Sequence, residues 1–266
     1  MATRFDRDTA VHPVDAASGA FEARIDPGWW VVQGPNGGYL AAILLRALAM
    51  RVEAARAPRS LTVHYTARPE AGPVRIETRV EREGRSLSTL TGRMLQDGRV
   101  LALALAAFSR PRTGPRFDHV EMPEVAPPEA CPSFPGRIPL HDRFEYRFAV
   151  GEPPGSGSAQ ALVGGWIRGE EPQRANAPLV AAFTDAWPPA CFSWASDRAE
   201  IGAVPTVDLT IHFRRDLPLG GAAPEDFYLA VFRSRVDEQG FIEEDGEVWS
   251  RDGSLLAQSR QLAVIG

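Results

Sequence analysis

The sequence has no lysine, so all 29 lysine-or-arginine positions are arginines. The absence of lysine excludes catalysis through a lysine Schiff base and phosphate binding by a P-loop lysine. The two cysteines, Cys131 and Cys191, are far apart and lack nearby histidine or cysteine partners, which argues against a disulfide framework and a zinc site. We therefore expect no bound metal and no other cofactor.

Excess positive charge and long apolar runs are missing as well. The formal net charge is −5 and the isoelectric point is near 5.6, which leaves no basic field for a nucleic acid. The longest apolar stretch, residues 38–50, contains Arg46 and is too short to span a bilayer. The N-terminus lacks the apolar core of an export signal. These absences predict a cytoplasmic protein that acts on a small molecule and contacts neither nucleic acid nor membrane.

Two pairs of segments recur in the same order along the chain. Residues 60–68 are similar to residues 208–215, and residues 97–106 are similar to residues 252–261. Such internal similarity is the mark of a duplicated structural unit. Both segments of the first pair predict strands. In the second pair, the Asp-Gly sequences at 97–98 and 252–253 predict tight hairpin turns.

Each copy also contains a candidate helix and several candidate strands. The helices, predicted over 36–50 and 177–187, are nearly all apolar and must be buried on most sides. Runs rich in β-branched and aromatic residues predict strands at 74–83, 86–95, 100–108, 227–236 and 255–265. We expect an N-terminal unit over 1–112, a proline-rich linker over 113–140 and a C-terminal unit over 141–266.

The two copies differ at positions that could carry chemistry. Asp208 stands where the first copy has Ser60, and Gln261 stands where it has Ala106. A glutamine on a core-facing strand position must find hydrogen-bond partners, because each unpaired amide group costs roughly 1–3 kcal/mol. Asp208 could instead cap the start of its strand, and Gln261 could be a hydrogen-bonded core amide. Ser234 is a weaker candidate, since its match, Thr78, also carries a hydroxyl.

A glycine pair, Gly37 and Gly38, opens the first buried helix. Helix N-termini present unpaired N–H groups and favour negative charge, and glycine lets a substrate carbonyl approach them closely. The pair could therefore hold an oxyanion. Close packing of the helix against its neighbour is the alternative.

These residues carry a family resemblance. The Asn36-to-Tyr39 opening of a buried helix, the strand beginning at Leu61, the terminal segment 252–261 and the duplicated layout resemble the double hot-dog acyl-CoA thioesterases of the bacterial thioesterase II type. The likeness covers nearly the whole chain. It implies an α+β fold of two tandem antiparallel sheets, each wrapped around a long buried helix. It also implies hydrolysis of acyl-CoA to the free acid and CoA.

The resemblance implies roles for individual residues. In that family an aspartate on the second-half strand after the helix, a hydroxyl residue on a following strand and a glutamine on the last strand orient a water molecule. Asp208 and Gln261 match by motif, whereas the hydroxyl position falls at Ser234 or Arg235, of which we favour Ser234. The hypothesis is that Asp208 acts as general base on the water. The expected oxyanion and substrate-binding residues are Asn36, Gly37 and Gly38.

Two other functions stay open. An enoyl-CoA hydratase on the same fold would need an Asp–His dyad, but Asp208 and His212 lie four residues apart along one strand, too far to share one substrate atom easily. A non-catalytic acyl-ligand-binding protein would keep the fold without turnover. A homodimer or larger homo-oligomer is plausible, since sheet edges invite self-association. The acyl chain length is not predicted.

Overall fold

Strands outnumber helices in the part of the chain that the structure describes. This computed structural model describes residues 2–15, 18–115, 117–134, 136–197 and 201–266. The helices are α1 (Arg4–Asp8), α2 (Gly37–Ala49), α3 (Ala177–Phe183) and α4 (Cys191–Trp194). The strands are β1 (His12–Asp15), β2 (Ala20–Ile25), β3 (Ala57–Tyr65), β4 (Gly72–Glu83), β5 (Leu87–Gln96), β6 (Arg99–Ser109), β7 (Phe144–Gly151), β8 (Ala161–Gly169), β9 (Thr206–Phe213), β10 (Tyr228–Ser234), β11 (Asp237–Glu238), β12 (Phe241–Ser250) and β13 (Leu255–Val264). Within these ranges, no helix is both long and apolar enough to cross a bilayer.

The strand order is the same in the two halves of the chain. The first half runs β2-β4-β5-β6-β3 across the sheet, and the second runs β8-β10-β12-β13-β9. The edge strands β3 and β9 pair antiparallel, so one continuous sheet forms where two separate sheets were expected. The pairing satisfies backbone N–H and C=O groups that each half alone would leave exposed at its edge. At the middle of this seam the hydroxyls of Thr62 and Thr210 lie 3.0 Å apart.

Helix α2 lies in the core of the molecule. The side chain of Asn36 caps its N-terminus by accepting a hydrogen bond from the Tyr39 amide at 2.9 Å. Residues 38–45 are all buried. Arg46 interrupts the apolar sequence, and its guanidinium reaches the carboxylate of Asp6 in α1.

Helix α3 is shorter than the sequence predicted. It has 7 residues and ends at Phe183, whereas the apolar pattern suggested continuation to residue 187. The hydroxyl of Thr184 bonds the Ala181 carbonyl at 2.8 Å, which closes the last turn. Pro188 and Pro189 follow, and the residue before a proline avoids helical geometry. The early end leaves Asp185 in a loop beside the N-terminus of α2.

The two Asp-Gly sequences do not make the same turn. Asp97 and Gly98 both have positive φ, 51° and 79°, and form the expected two-residue connection between β5 and β6. In the second copy only Gly253 has positive φ. The carboxylate of Asp252 there accepts from the Ser254 amide at 3.1 Å, and residues 251–254 form a longer loop. The chain still makes a tight turn here, with the Gly253 amide donating to the Ser250 carbonyl at 3.0 Å, but the connection is longer than the expected two residues.

The proline-rich segment between the halves follows the second half of the sheet. Its Ala126 carbonyl accepts a hydrogen bond from the indole N–H of Trp166 at 2.9 Å. Cys131 packs with Trp166 and Trp249 in a small apolar cluster on the face away from α3. The segment thereby covers apolar surface that the sheet would otherwise expose.

The buried position of α2 yields a stability prediction. Leu44→Ala, at a fully buried site, should lower the free energy of unfolding by about 2–5 kcal/mol through lost apolar contacts and a cavity. The control is Leu87→Ala on β5, where the side chain is 42% exposed, and its effect should stay within about 0.5 kcal/mol. Urea unfolding measures both. Equal losses in the two variants would contradict the assignment of α2 to the core.

Candidate active site

A cluster of polar side chains interrupts the apolar core of the second half. Its members are Asp185 after α3, Thr206 at the start of β9, Glu244 on β12 and Gln261 on β13. Glu244 and Gln261 are buried, with 7% and 8% exposure. Thr206 and Asp185 keep some accessible surface. The cluster is therefore close to solvent at one end and enclosed at the other.

Gln261 is the centre of this cluster. Its Nε2 donates to Oε1 of Glu244 at 2.7 Å, and its side chain lies close enough to the carboxylate of Asp185 to lower the pKa of that group. Its Oε1 accepts from the hydroxyl of Thr206 at 3.1 Å. Because both carboxylates require a donor, the amide nitrogen must face them and the amide oxygen must face Thr206. The orientation of Gln261 is thus fixed by its neighbours.

The carboxylate of Asp185 is bound by the N-terminus of a helix from the other half. Its Oδ2 accepts from Asn36 Nδ2 at 2.8 Å and from the Gly38 amide at 3.0 Å, and the nearby Gly37 amide also helps to lower its pKa. Helix N-termini stabilise negative charge in this way. Burial nevertheless outweighs these donors and raises the pKa of Asp185 to about 6.

The donors that were expected to hold an oxyanion are therefore already engaged. Asn36, Gly37 and Gly38 lie at the N-terminus of α2 as predicted, but they bind Asp185. The packing alternative for the glycines also has support, because a Cβ on Gly38 would come within 2.8 Å of the Ala182 carbonyl oxygen. In this structure the three residues position a carboxylate.

A β-bulge turns Thr206 toward Gln261. Asp208 faces Leu262 in the β9–β13 pairing, yet Thr206 faces Ala263, so Val207 is an extra residue. With strict alternation the Thr206 side chain would lie on the same face of the sheet as Asp208. The bulge places the side chain on the opposite face, beside Gln261, and bulges often redirect side chains in this way next to functional sites.

The structure does not bring Asp208 together with Gln261. Gln261 pairs with Leu209, which is buried against the helices, whereas Asp208 pairs with His64 of β3. Because successive residues of a strand point to opposite faces, Asp208 and Gln261 lie on opposite sides of the sheet. His212 is exposed on the Asp208 side. The water-binding role expected of Asp208 thus has no support from the geometry, and Asp185 is the carboxylate that meets Gln261.

The two candidates for the hydroxyl position lie elsewhere. Ser234 ends β10, is buried, and its hydroxyl has no hydrogen-bond partner among the described residues. It lines a cleft of about 750 Å³ together with Cys191 and Ile242. Arg235 is turned outward, where it forms an ion pair with Asp245. The hydroxyl that contacts Gln261 belongs to Thr206.

Glu244 is a second buried carboxylate in the cluster. Its Oε2 accepts from the backbone amide of Ala190, just before α4, at 2.6 Å. Burial, followed by the negative charge of Asp185, raises the pKa of Glu244 to about 7 against the donors from Ala190 and Gln261. Among the described residues, no arginine forms an ion pair with either carboxylate.

Sequence reasoning missed Asp185, Thr206 and Glu244, although the comparison of the two copies contained the signal. Ala106, the match of Gln261, pairs with Leu90, just as Gln261 pairs with Glu244. Counting from the capping asparagines Asn36 and Asn176 aligns Asp185 with a leucine. The second half is therefore polar at three matched positions where the first half is apolar, and of these only the Gln261 difference was recognised.

The topology, an antiparallel sheet around a central helix, defines a hot-dog fold. A structure from Alicyclobacillus acidocaldarius, a conserved protein of unknown function with hot-dog fold, matches with a TM-score of 0.88 and 27% identity, covering 100% of this chain and 99% of that chain. An acyl-CoA thioesterase II from Mycobacterium marinum matches in fold, with a TM-score of 0.78, 18% identity and coverage of 99% and 97%.

Family models identify the sequence more specifically. The acyl-CoA thioesterase N-terminal domain matches residues 26–109, and the acyl-CoA thioesterase C-terminal domain matches residues 118–265. The chain therefore belongs to the acyl-CoA thioesterase family. An uncharacterized protein of Mycobacterium tuberculosis is 26% identical and covers 100% of this chain and 99% of its own length.

The contact between α2 and Asp185 yields a second prediction. Gly38→Ala should lower the free energy of unfolding by about 1–3 kcal/mol, because the added methyl meets backbone at 2.8 Å. The gain in helix propensity, at most about 1 kcal/mol, does not offset this clash. Gly114→Ala, where a Cβ would meet nothing within 4 Å, is the control. Urea unfolding without a difference between the two variants would contradict the close approach of α2 to the Asp185 loop.

Proposed function

We propose that this protein hydrolyses acyl-CoA thioesters at a site formed by Asp185, Gln261 and Thr206. The observation that carries the proposal is the Gln261 amide, whose oxygen accepts from the Thr206 hydroxyl and whose side chain lies beside the carboxylate of Asp185. Membership of the acyl-CoA thioesterase family supports the class of substrate. The Asp208 and Ser234 roles suggested by the sequence are replaced by Asp185 and Thr206.

The environment of Asp185 suits a general base. An ordinary aspartate has a pKa near 3.9 and holds a proton too weakly to accept one efficiently at neutral pH. Burial raises the pKa of Asp185 to about 6. At neutral pH most of the protein then carries Asp185 as carboxylate, and that carboxylate is a better base than usual.

The proposed reaction needs no covalent enzyme intermediate. A water molecule bound by Asp185 and the Thr206 hydroxyl attacks the thioester carbon, and its proton passes to Asp185. The new C–O bond forms as the carbonyl becomes an oxyanion, and the C–S bond then breaks. The proton on Asp185 passes to the departing sulfur, which gives the free acid and CoA. Gln261 keeps Asp185 and Thr206 in place throughout.

The cleft beside Ser234 offers space for the acyl group of the substrate. Its apolar lining includes Ile201, Ile242 and Ile265. Ile242 lies two residues before Glu244 on the same face of β12, so the cleft is adjacent to the polar cluster. An apolar chain in this cleft would have its carbonyl end near Gln261.

Self-association and a cytoplasmic location belong to the proposal as well. Leu103 and Leu105 of β6 are 42% and 50% exposed on the outer face of the sheet. Adjacent exposed leucines favour burial against a second molecule. Light scattering of the purified protein should give at least twice the mass of one chain.

The third prediction tests the site. Asp185→Asn should reduce kcat/KM for a hydrolysable acyl-CoA by about 100-fold or more, because the base is removed while the side-chain shape is kept. Asp208→Asn makes the same chemical change on the outer face of the sheet and should leave kcat/KM within about twofold of the wild type. Release of free thiol from a panel of acyl-CoAs of differing chain length measures both.

The outcomes separate the candidate functions. A loss confined to Asp208→Asn would overturn the site proposed here. If the wild type releases no thiol from any member of the panel, the reading as a non-catalytic acyl-binding protein takes precedence. Direct binding of the same acyl-CoAs would then be measured by calorimetry.

A further inference from the structure

Glu244 is the one member of the polar cluster that the proposed reaction does not use. Its two carboxylate oxygens have different donors: Oε1 accepts from Gln261 at 2.7 Å, and Oε2 accepts from the Ala190 amide at 2.6 Å. Glu244 is 7% exposed. Keeping a carboxylate at such a depth is costly unless it is well hydrogen bonded.

The position of Glu244 determines how Gln261 is held. An amide side chain can rotate by half a turn and exchange its oxygen and nitrogen. With Glu244 on one side and Asp185 on the other, rotation would direct the amide oxygen at two carboxylates. The unrotated form instead donates to Glu244 and keeps the amide nitrogen on the side of Asp185, and the Thr206 hydroxyl donates to the amide oxygen. Glu244 thus fixes the nitrogen toward Asp185.

Glu244 also adds negative charge beside the proposed base. The titratable groups that act on Glu244 electrostatically are Asp185 from the loop after α3, Cys191 from α4 and, from the opposite face of the same strand, Glu243. The groups that face Asp185 are the donors at the start of α2 and the hydroxyl of Tyr65 from β3. Two carboxylates that share one amide titrate as a coupled pair, and each makes the other hold its proton more tightly.

We propose that Glu244 is a positioning residue for thioester hydrolysis, which holds the Gln261 amide nitrogen toward Asp185 and sets a second negative charge beside that base. The inference rests on the proposed function, because the reaction uses Asp185. Glu244 itself contacts neither the substrate nor the attacking water. The first half of the chain has Leu90 at the equivalent sheet position, so the carboxylate is a feature of the half that carries the site.

The fourth prediction concerns the pH dependence of the rate. Glu244→Gln should lower kcat at least 10-fold while KM changes less, because the variant disturbs the orientation of Gln261 but not the acyl cleft. It should also remove a second rise of kcat that the wild type shows near pH 7. Asp185, with a pKa of about 6, ionises while Glu244, with a pKa of about 7, still holds its proton. The negative charge of Glu244 therefore develops only near and above pH 7, where it makes Asp185 a stronger base, and the acid limb that Asp185 sets stays in place in the variant.

The control is Glu247→Gln, which removes a carboxylate from the same strand on the opposite face of the sheet. Its kcat should match the wild type within twofold, and the rise of kcat near pH 7 should persist. The proposal is overturned if Glu244→Gln keeps wild-type kinetics. It is equally overturned if kcat falls but the rise near pH 7 remains, since that would indicate a structural role alone.

A second measurement does not depend on activity. The folded-state pKa of Glu244 lies above its usual value of 4.5. The stability this group contributes is therefore greatest below about pH 4.5 and is lost as the pH rises through about 7. The free energy of unfolding of the wild type, minus that of Glu244→Gln, should accordingly fall across this window. A constant difference would contradict a charged Glu244 beside Asp185.

The kinetic and the stability measurements distinguish failure of the proposed function from failure of the role proposed for Glu244. If the wild type releases no thiol, the proposed function fails, while the stability profile still tests the contact of the two carboxylates through Gln261. If Glu244→Gln does not fold, Glu244→Met, which keeps a similar volume without charge, replaces it in both arms. The same expected and contradictory results then apply.

Discussion

The hydrogen bonds from the N-terminus of α2 to the carboxylate of Asp185 are the interaction on which the rest of the site depends. A carboxylate without a cation is unstable inside a protein, and the unpaired N–H groups of a helix N-terminus are among the few other groups that stabilise it. Gly38, Gly37 and Asn36 supply these donors from the first half of the chain. Gly38 is needed because a larger residue there would collide with backbone carbonyls in the last turn of α3 and with the side chain of Asp185.

This contact explains why two similar halves are required in one chain. The second half contributes the aspartate, the threonine, the glutamate and the glutamine, and the first half contributes the helix end that holds the aspartate. The continuous pairing of β3 with β9 fixes the distance between the two contributions. Neither half contains the whole arrangement.

Much of the fold could be predicted from the sequence, because it follows from local patterns. The apolar run after Asn36 gave α2 to within a residue, and the Asp97-Gly98 turn followed from the need for positive φ. The joining of the halves into one sheet was not predictable, because edge pairing leaves no local signal. The early end of α3 was missed, since the mostly apolar pattern continues to Trp187, whereas the helix ends at Phe183 and the Thr184 hydroxyl bonds the Ala181 carbonyl.

The site was predicted in part. Gln261 was recognised because a polar residue replaced Ala106 on a core-facing strand. Asp208 was selected by the same comparison, but alternation along β9 puts it on the outer face, and the bulge at Val207 turns Thr206 inward in its place. The glycine pair was assigned to the correct helix end with a substrate oxyanion as its partner. Its actual partner, Asp185, lies about 147 residues further along the chain, a separation across which local sequence carries no information.

The most direct test of this account is a crystal structure with a non-hydrolysable acyl-CoA analogue bound. We expect the acyl carbonyl to lie on the helix-facing side of the sheet, one water molecule away from the carboxylate of Asp185, with the acyl chain in the cleft lined by Ile242. An analogue bound on the outer face, with its carbonyl beside Asp208 and His64, would contradict the account.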